Sequence, residues 1–154
     1  MIKCKKMFID CIWGRVFSVY GRYDSPDSLI SSIFRSITEG QEIALTEGLQ
    51  LWDYLHCDDA GNAFYLLGEK TNKSKTYCIA SGVSRPLRDY VEFIKTESKA
   101  KNVFKYGIVK SGKPLINLNV DISELKKDTG YESKISFEEG IRDLLKKKQF
   151  IRKF

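Results

Sequence analysis

His56 is the only imidazole in this 154-residue chain, and the four cysteines, Cys4, Cys11, Cys57 and Cys78, contain no C-x-x-C pair. A tetrahedral metal shell cannot be drawn from that set, and no metal site is expected. A Ser-His-Asp or Cys-His relay would have to use His56, which stands just before a helix start and reads as a partly buried structural residue. Scattered thiols of this kind are usually small buried hydrophobes in a reducing compartment, so the cytoplasm is the expected location. There are eleven glycines, but no two are closer than Gly107 and Gly112. That spacing excludes a phosphate-cradling loop or a dinucleotide fingerprint, both of which need close glycines for the backbone to approach an anion. No apolar run approaches the ~20 residues of a membrane-spanning helix. The start, "MIKCKKMFIDCIW", interrupts its apolar part with an acid and offers no small-residue cleavage site, which argues against a signal peptide.

The net charge of +6 lies at the two ends. Residues 142–154, "RDLLKKKQFIRKF", carry six basic side chains and one acidic, residues 1–6 hold three lysines, and the remainder is slightly acidic. Nucleic-acid binding needs basic groups arrayed over a folded face, so the expectation is a solvated basic terminal helix or tail and no nucleic-acid partner.

The length fits one domain, 1–154, with a sizeable core. Residues 1–7 could finish a helix. "CIWGRVFSVYG" (11–21) reads as a buried strand. A helix follows with Ser25 as N-cap, Pro26 at its first position and Gly40 past its end. "EIAL" (42–45) is a short strand. Asp58 or Asp59 caps a helix running to about Lys70, with Ala60, Ala63, Phe64 and Leu67 on one buried face. "TYCIAS" (76–81) is a second buried strand, and Pro86 opens a helix that buries Leu87, Tyr90, Val91 and Ile94. "NVFKYGIV" and "PLINLNV" read as strands or extended connections. Asp121 caps a short helix ending at Gly130, and Ser136 and Glu139 form a capping box before a final helix. Strands alternating with helices predict an α/β fold with some parallel pairing. Asp53, wedged between Trp52 and Tyr54 in "LQLWDYLHCDDAGNAFYLL" (49–67), is explained by no cap; it reads as an acceptor for backbone N–H groups or as part of a site.

Five segments in order, "GRVFSVYG" (14–21), "QLWDYLHCDDAGNAFYLL" (50–67), "TYCIASG" (76–82), "VDISELKKDTGY" (120–131) and "SFEEGI" (136–141), resemble the C-terminal half of extended short-chain dehydrogenases/reductases, in particular the nucleotide-sugar epimerases and dehydratases. The resemblance runs from about Asp10 to Leu145 and implies the last Rossmann-type strand followed by a small mixed α/β substrate-binding domain. It also implies that the glycine-rich dinucleotide-binding half and the helical Tyr-x-x-x-Lys pair lie outside this sequence. The match Tyr106-x-x-x-Lys110, in "YGIVK", reads as extended, which separates the two side chains, so no catalytic residue is expected.

Carried over by position, Val16 and Phe17 correspond to residues that touch the nicotinamide end of NAD, and Ser18 to an Asn on the sugar diphosphate. Ser28 and Leu29 correspond to a segment that closes over the nucleotide, and Ile43 and Leu45 to residues flanking the base. Trp52 replaces an arginine that clamps the diphosphate. Lys110, or Lys113 if the register shifts, lies near a second phosphate-binding arginine. The resemblance implies a nucleotide-diphosphate sugar as ligand and NAD(P) as a cofactor this chain does not hold unaided. It implies either a homo-oligomer or association with a dinucleotide-binding half. The competing expectations are a non-catalytic nucleotide-sugar binding or regulatory module, and a truncated gene product.

Overall fold

The computed structural model describes residues 4, 6–7, 9–72, 74–101, 104–110 and 115–146. Along the chain run β1 (Trp13–Val16), β2 (Ser18–Tyr20), α1 (Leu29–Glu39), β3 (Ile43–Ala44), β4 (Leu51–Trp52), β5 (Tyr54–His56), α2 (Cys57–Lys70), β6 (Thr76–Ile79), β7 (Arg85–Pro86), α3 (Leu87–Glu97), β8 (Phe104–Lys105), α4 (Ser123–Thr129) and α5 (Phe137–Lys146). β1 pairs with β6, β2 with β5 and β3 with β8, all parallel, while β4 and β7 pair antiparallel. The expected parallel pairing is thus present, in two-stranded ladders.

The expected buried strand over 11–21 is divided at Phe17, and its first half is not buried. Trp13 is 57% and Val16 47% exposed. In a parallel ladder alternate residues turn both backbone groups to the same side. Trp13 and Phe17 donate towards β6, at Lys75 and Ile79, so Gly14 and Val16 turn theirs to the outer edge. No strand among the described residues covers that edge. An apolar composition was read as burial, but it belongs to a sheet flank that lacks a neighbour here.

Helix starts also moved. The first helix is capped by Ser28, not Ser25: the Ser28 hydroxyl accepts from Ser31 N–H at 3.2 Å and donates to Asp24 at 2.7 Å. Ser25 begins the preceding turn, its carbonyl accepting from Ser28 N–H. His56 caps α2, its Nδ1 accepting from Asp58 N–H at 3.2 Å, a capping role for which acids are the commoner choice. The capping box before α5 formed as expected, with Glu139 accepting from Ser136 N–H and Oγ and Ser136 Oγ accepting from Glu139 N–H. The segment 115–120 is extended without pairing as a strand. The predicted helix end over 1–7 and the basic tail beyond Lys146 fall largely or wholly outside the described residues.

Two apolar clusters hold these elements. Tyr20, Ile33, Phe34, Val91, Ile94 and Ile141 join β2, α1, α3 and α5. Leu55, Ala63, Leu67, Ile79, Leu125 and Tyr131 join β5, β6, α2 and α4. The two clusters bury the phenols of Tyr20 and Tyr131. Burial pushes both up, helped by Glu138 for Tyr20 and by Asp59 for Tyr131. The folded state therefore keeps these protons where the unfolded chain releases them, near ~10. Stability is full below that value and falls as pH rises above it, at about 1 kcal/mol per pH unit for each phenol. Circular-dichroism melts should show a falling melting temperature above about pH 10; a level one up to about pH 11.5 contradicts this account.

Candidate functional site

A hollow of about 260 Å³ opens where α1, the turn after β3, the start of α3 and the loop after β8 converge. Its shape follows from backbone connections. Leu45 N–H donates to Lys105 O, and Val109 N–H to Leu45 O, which brings the loop after β8 against the end of β3. Gln50 O accepts from Leu87 N–H and Gly48 O from Arg88 N–H, so the first turn of α3 forms the far wall. Gly48 has φ +69°, and a Cβ there would lie 3.1 Å from Arg88 N, so only glycine fits this close approach without strain. Leu29, Leu45, Leu87, Val91 and Val109 supply apolar surface.

Few polar groups enter the hollow. Gln50 Oε1 is buried without a hydrogen-bond partner. Arg88 places its guanidinium 4.2 Å from the centre of the Tyr106 ring. Burial first, and then Glu92, push the Tyr106 phenol up. A phenol acting as acid/base near neutral pH needs the opposite shift. Residues 106–110 form a turn and loop, not a helix, so Tyr106 and Lys110 make no i, i+4 pair.

Of the positions expected to bind ligand, Leu29 and Leu45 line this hollow together. Lys110 is exposed and follows the lining residue Val109. Ile43 is buried in the apolar cluster behind it, and Trp52 packs on the same cluster with its Nε1 buried and unpartnered. Ser28 is occupied as a cap, Ser18 on β2 pairs in register with Tyr54 of β5, and Val16 ends β1 with Phe17 just after it; none of these lines the hollow. Lys113 lies outside the described residues. Gly48, Gln50 and Arg88 were not singled out from sequence, and Tyr106 was considered only for its spacing to Lys110 and set aside. A glycine placed just before an apolar strand was a signal for Gly48; nothing local marked Gln50 or Arg88.

Asp53 proves to be architecture. It is 1% exposed and accepts from Ser81 N–H at 3.0 Å and Gly82 N–H at 2.9 Å. His56, Cys57 and Asp58 bring one ligand-type atom each within 4.8 Å of one another. That grouping is poorly suited to a cation, because His56 Nδ1 is already accepting as the cap and the positive end of α2 faces it. Burial and Asp58 hold the Cys57 thiol up, so it is not a poised nucleophile. A second, larger hollow of about 410 Å³ lies between Tyr54, Tyr90 and the start of α5. Its Arg85 is already committed to Glu138 at 2.6 Å and to the face of Tyr90.

Comparison with known proteins places this geometry. A sequence profile described as the NAD dependent epimerase/dehydratase family matches residues 3–80. CDP-abequose synthase of Salmonella typhimurium is 23% identical over 139 residues, 86% of this chain and 46% of that protein. UDP-glucose 4-epimerase from Thermotoga maritima, solved with UDP-glucose, superposes with a TM-score of 0.84 at 22% identity, over 99% of this chain and 49% of that one. dTDP-glucose 4,6-dehydratase from Bacillus anthracis, solved with NAD, gives 0.84 at 24% identity, over 96% and 47%. The fold is that of the extended short-chain dehydrogenase/reductase structures, and the chain spans about half the length of these relatives. Phe17 donates its N–H to Ile79 O and its carbonyl accepts from Val19 N–H, whereas Val16 turns its backbone groups to the uncovered edge of β1. The close-spaced glycines that cradle a pyrophosphate are absent from this sequence.

Proposed function

The chain belongs to the NAD dependent epimerase/dehydratase family, and on that premise we propose that it is a nucleotide-sugar-binding, substrate-side portion that performs no turnover unaided. The observation that carries the reading is the apolar hollow at Leu29, Leu45, Val91 and Val109, sized for a planar base and holding one unpaired buried acceptor, Gln50 Oε1. Leu29 and Leu45 flank the base. Ile43 and Trp52 support it from behind, and Ser18, Ser28 and Lys110 are the polar groups nearest in sequence to the sugar diphosphate's path.

No turnover follows from the absence of a helical Tyr-x-x-x-Lys pair and of a glycine-rich loop in these residues. In the intact chemistry the dinucleotide carries the hydride, and what these residues contribute is holding and orienting the substrate. The open edge of β1, with Trp13 and Val16 exposed, supports pairing with a strand of a dinucleotide-binding half or of a second copy. Among the described residues no helix is long and apolar enough to cross a membrane, and the four cysteines are free; both agree with work in the cytoplasm.

Calorimetry against UDP-, dTDP-, CDP- and GDP-sugars, each with and without NAD, tests the proposal. Binding of at least one sugar nucleotide, unchanged by NAD and without product, is the expected result. Product formation by this chain, or no binding across the panel, overturns it.

A further inference from the structure

The candidate hollow is apolar on most of its surface, yet Arg88 stands at its wall. Among the described residues no carboxylate lies within ion-pair distance of it. Arg85, which also rests on a tyrosine ring, is by contrast neutralised by Glu138. Arg88 is instead held in place by the Tyr106 ring beneath it and by the Gly48 turn, which packs against its Cα and Cβ. Resting on a ring fixes the fork of the guanidinium without consuming its hydrogen-bond donors, leaving them free for an anion. It lies on the first turn of α3, whose dipole adds positive potential at the same place. On the opposite side of the chemistry, Gln50 has a buried oxygen that no protein group satisfies. Leaving such an atom unpaired is costly, and a ligand N–H would recover that cost.

We propose that Arg88 is the phosphate anchor of this hollow: a nucleotide enters base first, its ring N–H or amino group donating to Gln50 Oε1, and its first phosphates meet the Arg88 guanidinium above Tyr106. This rests on the nucleotide-sugar reading above and adds to it the group that answers the ligand's charge. Trp52, with an indole in place of a charged fork, cannot supply that charge, and Lys110 is an exposed loop residue that rests on no ring among the described residues. The arrangement also makes selection physical, because a neutral nucleoside fills the apolar part and leaves Arg88 in water, whereas its diphosphate engages both ends.

The experiment compares three pairs of probes, uridine with UDP, cytidine with CDP and thymidine with dTDP, by calorimetry at low and high salt. For the pair that binds, the wild-type protein should favour the diphosphate by at least about tenfold, with the preference shrinking as salt rises. Arg88→Met, which keeps the stem packed on Gly48 and Tyr106 but removes the charge, should bring the ratio close to one while nucleoside affinity stays. Arg88→Lys should retain part of the preference, and Arg85→Gln, in the other hollow, all of it. Arg88 is exposed, so the two Arg88 variants should melt like the wild type. A diphosphate preference that survives Arg88→Met sinks this inference alone and moves the phosphate elsewhere. If none of the six compounds binds, this inference fails, while the nucleotide-sugar reading is decided separately by the sugar-nucleotide panel above.

Discussion

Changing Asp59 to alanine is expected to cost about 3–5 kcal/mol of stability, while the same change one residue earlier, Asp58→Ala, stays within about 1 kcal/mol. The two acids are neighbours in sequence and opposites in environment. Asp59 is 3% exposed, and its Oδ2 accepts from Ser133 Oγ at 3.0 Å, Lys134 N–H at 3.0 Å and Ile135 N–H at 2.9 Å. That single oxygen fastens the loop between α4 and α5 to the start of α2. Removing it strands two backbone donors and breaks the link between helices far apart in the chain. Asp58 has a side chain that is 77% exposed, and it faces the helix dipole from solvent, a contribution of about 0.3–1 kcal/mol. Urea denaturation of both variants checks the contrast. Equal losses would show that the loop is held by its apolar contacts, Tyr131 and Phe137, and not by the carboxylate.

The Asp-Asp pair shows which parts of this fold the sequence revealed and which it concealed. Both acids looked like caps, because capping is a local rule that any acid before a helical period satisfies. The cap is in fact His56, and the buried acid serves a loop 74 to 76 positions away, a distance over which no local pattern reports. The elements that were read correctly obey local physics: the capping box at Ser136 and Glu139, the stripe Leu87, Tyr90, Val91 and Ile94, and the helix end at Gly130. The misread strand at 11–21 failed for a different reason. Composition reports what a residue would bury against if a neighbour were present, and β1 keeps a strand's composition with one flank uncovered. The hollow was half legible. Leu29 and Leu45 came from resemblance to a family pattern, while Arg88, Tyr106 and Gln50 meet only through the parallel β3–β8 pairing and the Gly48 turn. A stacked arginine has no spacing signature, since its partner ring is set by tertiary register.

Asp53 gives the second large effect. Asp53→Ala is expected to lose about 3–4 kcal/mol, and Asp53→Asn about half of that. Among the described residues the carboxylate is the acceptor that meets both Ser81 N–H and Gly82 N–H, and each charge-assisted bond contributes about 1.5–3 kcal/mol. Asparagine keeps one oxygen for one of those donors and turns an N–H₂ towards the other, so it should fall between the two. The turn is a special one: Gly82 has φ +78°, a left-handed conformation that favours glycine, and it packs against the side chain of Ile122, the residue that precedes α4. The damage should spread along a defined route. Tyr90 Oη donates to Trp52 O at 3.0 Å and also lies 3.3 Å from Val83 O, so the strand bearing Asp53 and the turn it holds are both fastened to α3, the helix that carries Arg88. Asp53→Ala should therefore weaken nucleotide binding as well as stability, although Asp53 does not line the hollow. A double-mutant cycle with Tyr90→Phe separates the two effects. If the hydroxyl and the carboxylate act through one connection, the double variant loses less than the two single losses combined. Fully additive losses would mean that the turn is held by two independent ties, and that the binding defect of Asp53→Ala reports general loosening and not a displaced α3.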